Sequence, residues 1–246
     1  DEEHIGEAVS SMKTLGIAGA NISMPNKTAI IDYLDYVSEE ARFCNAVNTV
    51  VNKEGRLYGY NTDIFGVEMA IKDLGVDIST SKVCILGLGG AGQAVLYALA
   101  RNNVKKVSVF VRKQSMETGK AYIDKIRNSF NIDVKIYIAE DKALLSKLVN
   151  EADLLINATK LGMGQDIYKN PLDDKIKLPK HICILDLIYN PCETKLLERA
   201  KREDCTKYSN GLPMLIYQGV KAFEYFTDKQ IDISYIFTRL ENAFKI

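Results

Sequence analysis

Gly87-Leu88-Gly89-Gly90-Ala91-Gly92 is the segment that most restricts the possible folds of this chain. It follows the apolar run Val83–Leu86 directly and opens an amphipathic stretch, 90–102. A strand, a glycine-rich turn and a helix in that order form the first half of a dinucleotide-binding βαβ unit. Gly87 permits the tight turn, Gly89 lets backbone approach a pyrophosphate, and Gly92 lets the helix lie close to the strand. Gly90 and Ala91 begin the helix, whose N–H groups and partial positive charge suit phosphate.

Alternation continues beyond the loop. Strands are expected at 83–86, 106–111, 134–139, 154–157 and 182–187, with helices at 90–102, 115–130 and 143–149 between them. Near-continuous apolar strands separated by helices imply a parallel sheet covered on both faces. The first part reads differently. A helix already under way at 1–16 carries Ile5, Val9 and Met12 at helical spacing and leads into a strand at 17–22. A helix at 28–34 follows. Two β-rich runs, 46–52 and 56–60, are joined by Lys53-Glu54-Gly55 as a hairpin, and a helix at 62–74 ends before Gly75. Two final helices, 212–226 and 233–244, are expected to pack back on the first part.

The fold class is therefore α/β, with an N-terminal α/β substrate domain, incomplete at its start, and a C-terminal Rossmann domain. The expected bounds are 1–78, 79–210 and 211–246 for the returning helices, with the join near 76–81. A cleft between the domains is the default ligand site.

With 32 basic and 32 acidic residues, the net charge is zero. No long-range field draws this chain to nucleic acid or an anionic membrane, so neither is expected as a partner. Five cysteines, none in a C-x-x-C pair, read as free thiols of a reducing cytoplasm, and with only two histidines no metal site is expected. The most apolar stretch, 83–100, contains four glycines and is not a membrane span.

The second strand bears on the choice of dinucleotide. NAD enzymes commonly place Asp or Glu there, about 20 residues on, to hold the ribose 2′-OH. Here the strand ends Phe110-Val111-Arg112-Lys113. A carboxylate would repel a 2′-phosphate, whereas Arg112 can grip one, so NADP is favoured. The plain alternative for Arg112 is a solvated loop charge. The missing acid also weakens an S-adenosylmethionine-binding reading.

Three segments of the first part are more polar than folding requires: 21–27 (NISMPNK), 45–49 (NAVNT) and 59–63 (GYNTD). Each alone has a dull explanation, such as Asp63 or Thr62 capping a helix. Together, ahead of a dinucleotide loop, they read as a polyol site.

On these residues the chain resembles the shikimate dehydrogenases. The likeness runs through Gly19–Lys27, Ala46–Thr49, Asn61–Asp63, the glycine loop, Ile156–Thr159 with Gly162-Met163, Asp186–Pro191 with Thr194, and Asn210–Leu215 with Gln218. It implies NADP-dependent reduction of 3-dehydroshikimate to shikimate in aromatic amino-acid biosynthesis. It also implies a catalytic pair, Lys27 and Asp63, and substrate contacts from Ser23 (the family usually has Thr), Asn48, Asn61, Tyr189 and Gln218. Thr159, Leu187 and Gly211 would attend the cofactor, and Glu39 would touch it from the first domain. The sequence departs at Val111, where the family carries Asn, and at Met116, where a second basic residue is expected; Lys113 is the nearby cation.

Similar proteins have a strand–helix–strand ahead of Asp1, with two serines for the substrate carboxylate. The resemblance therefore implies an inactive chain or one piece of a longer or fused polypeptide, working as a monomer or homodimer. A quinate/shikimate dehydrogenase of broader specificity and a non-catalytic NADP- or shikimate-binding module stay open as alternatives. A methylenetetrahydrofolate dehydrogenase, which usually has Tyr four residues before its lysine, is disfavoured by Ser23.

Overall fold

The computed structural model describes residues 2–244, so Asp1, which the expected first helix included, lies outside the described residues. The chain divides into two compact units, one of 1–66 with 216–246 and one of 67–215. The chain passes between them within the helices Asp63–Asp73 (α3) and Leu212–Thr227 (α8).

The first unit is built on a four-stranded sheet. Its strands are Gly19–Asn21 (β1), Tyr36–Val37 (β2), Thr49–Lys53 (β3) and Arg56–Tyr60 (β4), in the order β1-β3-β4-β2. β3 and β4 form the expected hairpin, with Lys53 opposite Arg56. Glu54 and Gly55 make its two-residue turn at φ +54° and +83°. Two left-handed residues match the right-handed twist of the strands they join.

Helix α1 (Ile5–Thr14) buries Ile5, Val9 and Met12, one stripe at helical spacing. They meet Ile30, Val37, Ala41, Val47, Val50 and Leu57 in one apolar cluster. Each such Ile, Val, Leu or Met side chain taken from water contributes about 1.5–3 kcal/mol before the entropy of ordering is subtracted.

The segment expected as a helix at 28–34 is a 3-10 helix, Ala29–Tyr33. Its neighbour α2 (Glu39–Cys44) is capped by Ser38, whose hydroxyl accepts from Ala41 N, and stops at Asn45 in the left-handed region. Asp35 Oδ2 accepts from Leu57 N at 2.7 Å and from Lys13 Nζ at 3.3 Å. These bonds, that from Leu57 foremost, hold its carboxyl below the usual range.

The second unit carries six parallel strands: Lys82–Leu86 (β5), Lys106–Val111 (β6), Asp133–Ile138 (β7), Leu154–Asn157 (β8), Cys183–Asp186 (β9) and Lys207–Ser209 (β10). Their order, β10-β9-β8-β5-β6-β7, is the 3-2-1-4-5-6 order of doubly wound dinucleotide folds read from the other edge. Helices α4 (Gly90–Arg101), α5 (Met116–Ser129), α6 (Lys142–Asn150) and α7 (Lys195–Arg202) connect them. The apolar reading anticipated five strands; β10 and α7 are additional.

Arg199 on α7 is fully buried. Its guanidinium donates to the carbonyls of Asp173 (2.9 Å) and Ile176 and to Glu203 Oε1 (2.8 Å). Glu203 Oε2 in turn accepts from Leu178 N at 2.7 Å. Burial alone would raise the Glu203 pKa, but the bonds from Leu178 and Arg199 bring it below the ordinary value. One ion pair thus ties 173–178, which has no helix or strand, to a helix. Four cysteines are buried and Cys192 is exposed; all five are free thiols. No helix among the described residues is long and apolar enough to cross a membrane.

Candidate active site

In the first unit four separate segments bring polar side chains together. Lys27 stands on the turn after β1, its backbone carbonyl accepting from Val47 N at 2.8 Å. Its Nζ lies 2.6 Å from Asp63 Oδ2, with the two side chains 25% and 15% exposed. The ion pair is thus screened yet open to a small molecule. Asp63 starts α3, and its N–H donates to Asn61 Oδ1 at 3.1 Å, while Asn61 Nδ2 donates to Ala46 O. The Asn61 amide thereby sets the angle at which Asp63 leaves the strand end.

Asn48, just ahead of β3, is almost fully buried. Its Nδ2 donates to Asp63 Oδ1 (2.9 Å) and Thr62 Oγ1 (3.0 Å), with Gln218 Oε1 at 3.3 Å. Two N–H groups among three acceptors is a shared arrangement. Its Oδ1 accepts from Thr62 N (2.8 Å) and Thr49 Oγ1 (3.0 Å). Gln218 joins from α8, 170 residues along the chain. Thr49 and Thr62 orient the Asn48 amide, a role the sequence reading had not given them. The signal was there, in two threonines next to the polar positions of 45–49 and 59–63. Ser23 is exposed beside the Lys27 turn, its carbonyl accepting from Asn26 N. Glu39 is exposed in the first turn of α2.

In the second unit the glycine loop leaves β5 at Leu86. Gly87 has φ +92°, and a Cβ on it would lie 3.0 Å from Thr159 Cγ2. A Cβ on Gly92 would lie 2.4 Å from Gly87 O, so only glycine lets α4 pack here. Gly89 and Gly90 face open space, and Gly89 caps α4 with no side-chain hydrogen bond. Backbone is therefore bare where the first N–H groups of α4 point, a geometry that fits a pyrophosphate. Ala91 is exposed in the same first turn.

Arg112 and Lys113 are exposed at the end of β6. Thr159 donates through N and Oγ1 to Asn157 Oδ1. Gly211 N donates to Ile188 O, and a Cβ on Gly211 would overlap Leu187 O. Tyr189 is about half exposed on the loop after β9. Among the described residues no cluster of His, Cys, Asp or Glu could hold a metal ion.

A six-stranded parallel sheet in dinucleotide order, with a bare glycine loop at the carboxyl end of β5, defines a protein of the Rossmann-type dinucleotide-binding class. Family models agree: residues 1–50 match the shikimate dehydrogenase substrate binding domain and 211–236 the shikimate 5′-dehydrogenase C-terminal domain. Residues 83–167 match a saccharopine dehydrogenase NADP binding domain.

A shikimate dehydrogenase (NADP(+)) of Streptococcus pneumoniae is 38% identical over 241 residues, 98% of this chain and 83% of the relative. The crystal structure of shikimate 5-dehydrogenase from Listeria monocytogenes, in complex with shikimate and NAD, superposes at TM-score 0.90. It is 36% identical, over 97% of this chain and 82% of that one. The Thermus thermophilus enzyme, in complex with NADP(H) and shikimate, gives 0.80 at 34% identity over 94% and 81%. The chain belongs to the shikimate dehydrogenase family.

Proposed function

We propose that this protein catalyses the NADP-dependent, reversible reduction of 3-dehydroshikimate to shikimate, a step of aromatic amino-acid biosynthesis. The observation that carries the reading is the Lys27–Asp63 pair. It is joined through Asn48 to Gln218, in the unit whose first 50 residues match a shikimate dehydrogenase substrate binding domain. The Thermus thermophilus relative, in complex with NADP(H) and shikimate, supports both ligands, and the Listeria monocytogenes relative supports shikimate.

NADPH supplies the hydride. The protein must supply a proton to the oxygen of the ketone as it becomes an alkoxide. Lys27 Nζ carries protons and a positive charge that stabilises the developing anion. Asp63 holds the ammonium in place with one oxygen and is itself held through the other by Asn48. Asn48 and Gln218 each offer an amide, able to donate and accept toward ring hydroxyls. Asn61 shapes the site through the Asp63 N–H, and Ser23 adds a substrate contact.

For the cofactor, Gly87–Gly92 cradles the pyrophosphate, and Arg112 with Lys113 binds the 2′-phosphate. Thr159, Leu187 and Gly211 attend the nicotinamide end. Five free thiols fit work in a reducing cytoplasm.

The test is NADPH formation followed by absorbance with the purified full-length polypeptide, shikimate and NADP+. Steady turnover is expected, faster than with quinate and NAD+. No turnover of shikimate with either cofactor overturns the proposal. Faster turnover of quinate with NAD+ replaces it with a quinate dehydrogenase.

A further inference from the structure

At the carboxyl ends of β8 and β9 two polar residues are fully buried in strands otherwise made of Leu, Ile and Cys. They are Asn157 and Asp186, register partners across the two strands. Asn157 also pairs in register with Leu86, the last residue before the glycine loop. A buried carboxylate is costly unless its lone pairs are taken.

Asp186 accepts from three donors, none of them a cation: Asn157 Nδ2 at 2.9 Å, Ile188 N at 3.1 Å and Thr194 Oγ1 at 2.6 Å. Burial pushes its pKa up, and the three bonds act against that shift. An acceptor-only carboxylate suits three donors; an amide would set its own N–H against one of them.

Each donor belongs to a different piece of chain. Asn157 donates also to Leu161 O at 3.3 Å and takes Thr159 N and Oγ1 on its own oxygen, which fixes the loop after β8. Ile188 belongs to the loop after β9, and its carbonyl accepts from Gly211 N at 2.9 Å. Thr194 caps α7 by accepting from Leu197 N, so its hydroxyl proton is left for Asp186. Gly162 has φ +111°, and a Cβ on it would lie 3.2 Å from Ile188 Cδ1 and 3.5 Å from Thr194 Cβ, so the two loops approach closely there. One carboxylate therefore ties the loops after β8 and β9 to a helix N-terminus, and Gly211 is attached one bond further on. In a doubly wound fold these strands form the second mononucleotide half, the half that takes the nicotinamide nucleotide.

We propose that Asp186 is the positioning residue of the nicotinamide subsite. Its carboxylate, without touching the cofactor, sets the backbone on which Thr159, Leu187 and Gly211 hold the nicotinamide ring in one pose. This rests on the dinucleotide reading of the second unit. The ring would then have one orientation for hydride transfer, and a small displacement of it costs rate more than affinity.

The test compares NADP+ with adenosine 2′,5′-bisphosphate, which lacks the nicotinamide, by calorimetry on the intact protein and on Asp186→Asn, Thr194→Val and Thr194→Ser. For Asp186→Asn and Thr194→Val, NADP+ binding should weaken by roughly fivefold to tenfold, and binding of the bisphosphate by less than about twofold. The change in NADPH fluorescence on binding should be lost with them, kcat should fall by about 10–100-fold, and Thr194→Ser should restore all three. Equal weakening of both ligands, or of neither, overturns the proposal. Should Asp186→Asn fail to fold, the Thr194 pair decides alone. If the unaltered protein binds neither ligand, it is the dinucleotide reading that fails.

Discussion

Lys27 Nζ sits 2.6 Å from Asp63 Oδ2, while the other oxygen of that carboxylate accepts from Asn48 at 2.9 Å. The lysine is thus held by a carboxylate that is itself held, and the three side chains act as one unit. Lys27→Ala should cut kcat by roughly 10²–10⁴. Its effect on NADP+ binding should be slight, because Lys27 lies outside the dinucleotide-binding unit. Lys27→Ala/Asp63→Ala should be little worse than the poorer single variant, as for residues acting together. Lys27→Arg is the sharper probe, since guanidinium keeps the charge but does not give up its proton. Steady-state kinetics should show substrate binding retained and turnover lost; near-normal kcat would reduce Lys27 to an electrostatic anchor.

Arg112 follows the last residue of β6 and is exposed, with Lys113 beside it and no carboxylate at the strand end. Arg112→Ala should weaken NADP+ far more than NAD+, by on the order of 1.5–3 kcal/mol for a charge-assisted phosphate bond. Calorimetric titration with each dinucleotide reads the difference. Equal losses would make Arg112 a structural residue.

Arg199 is a buried cation whose partners are backbone carbonyls and Glu203. Arg199→Ala should lower unfolding free energy by about 3–5 kcal/mol, since carbonyls and a carboxylate lose their donor. Urea denaturation measures it. Limited proteolysis should show new cutting within 173–178.

At the hairpin, Glu54 occupies the left-handed region at φ +54°, where asparagine and glycine are easier. Glu54→Asn gives the Asn-Gly pair that such turns favour and should stabilise by roughly 0.5–1 kcal/mol. The gain should appear as a higher Tm with kcat unchanged.

Asp35 sets a pH dependence. Its folded pKa lies below its ordinary value of 3.8, so the unfolded state takes up the proton first as pH falls. The stability it contributes is complete above that ordinary value and is lost as pH drops through the folded one. Asp35→Asn should therefore be less stable at neutral pH, and its Tm should converge on that of the unaltered protein in acid. Parallel Tm curves from neutral pH down to pH 2 would refute this role.

Much of the second unit was legible because buried parallel strands are unbroken apolar runs. β6 and β8 fall at the bounds the sequence implies. What escaped notice lacked that signal. β2 has two residues, and β10 is an edge strand reading Lys-Tyr-Ser with little buried. α7 reads Lys-Leu-Leu-Glu-Arg-Ala-Lys-Arg, a charged segment whose burial depends on Arg199 as much as on its leucines. The segment 29–33 has helical spacing but closes as a 3-10 turn, a short connector before β2. Lys27, Asn48 and Asp63 stood out as polar residues at strand ends. Their bonding did not, since Thr49 and Thr62 matter only once the hairpin brings Asn48 over the start of α3.

The single exposed thiol has a practical consequence. Cys192 sits on the loop after β9, its carbonyl accepting from Asn210 Nδ2 at 2.9 Å, while the other four sulfurs are buried. A thiol-reactive fluorophore should couple with one-to-one stoichiometry to the native protein and with five-to-one once urea opens the fold. The label would lie two residues from Thr194, whose hydroxyl meets Asp186. The unaltered sequence thus carries an optical reporter beside the loops that Asp186 ties together.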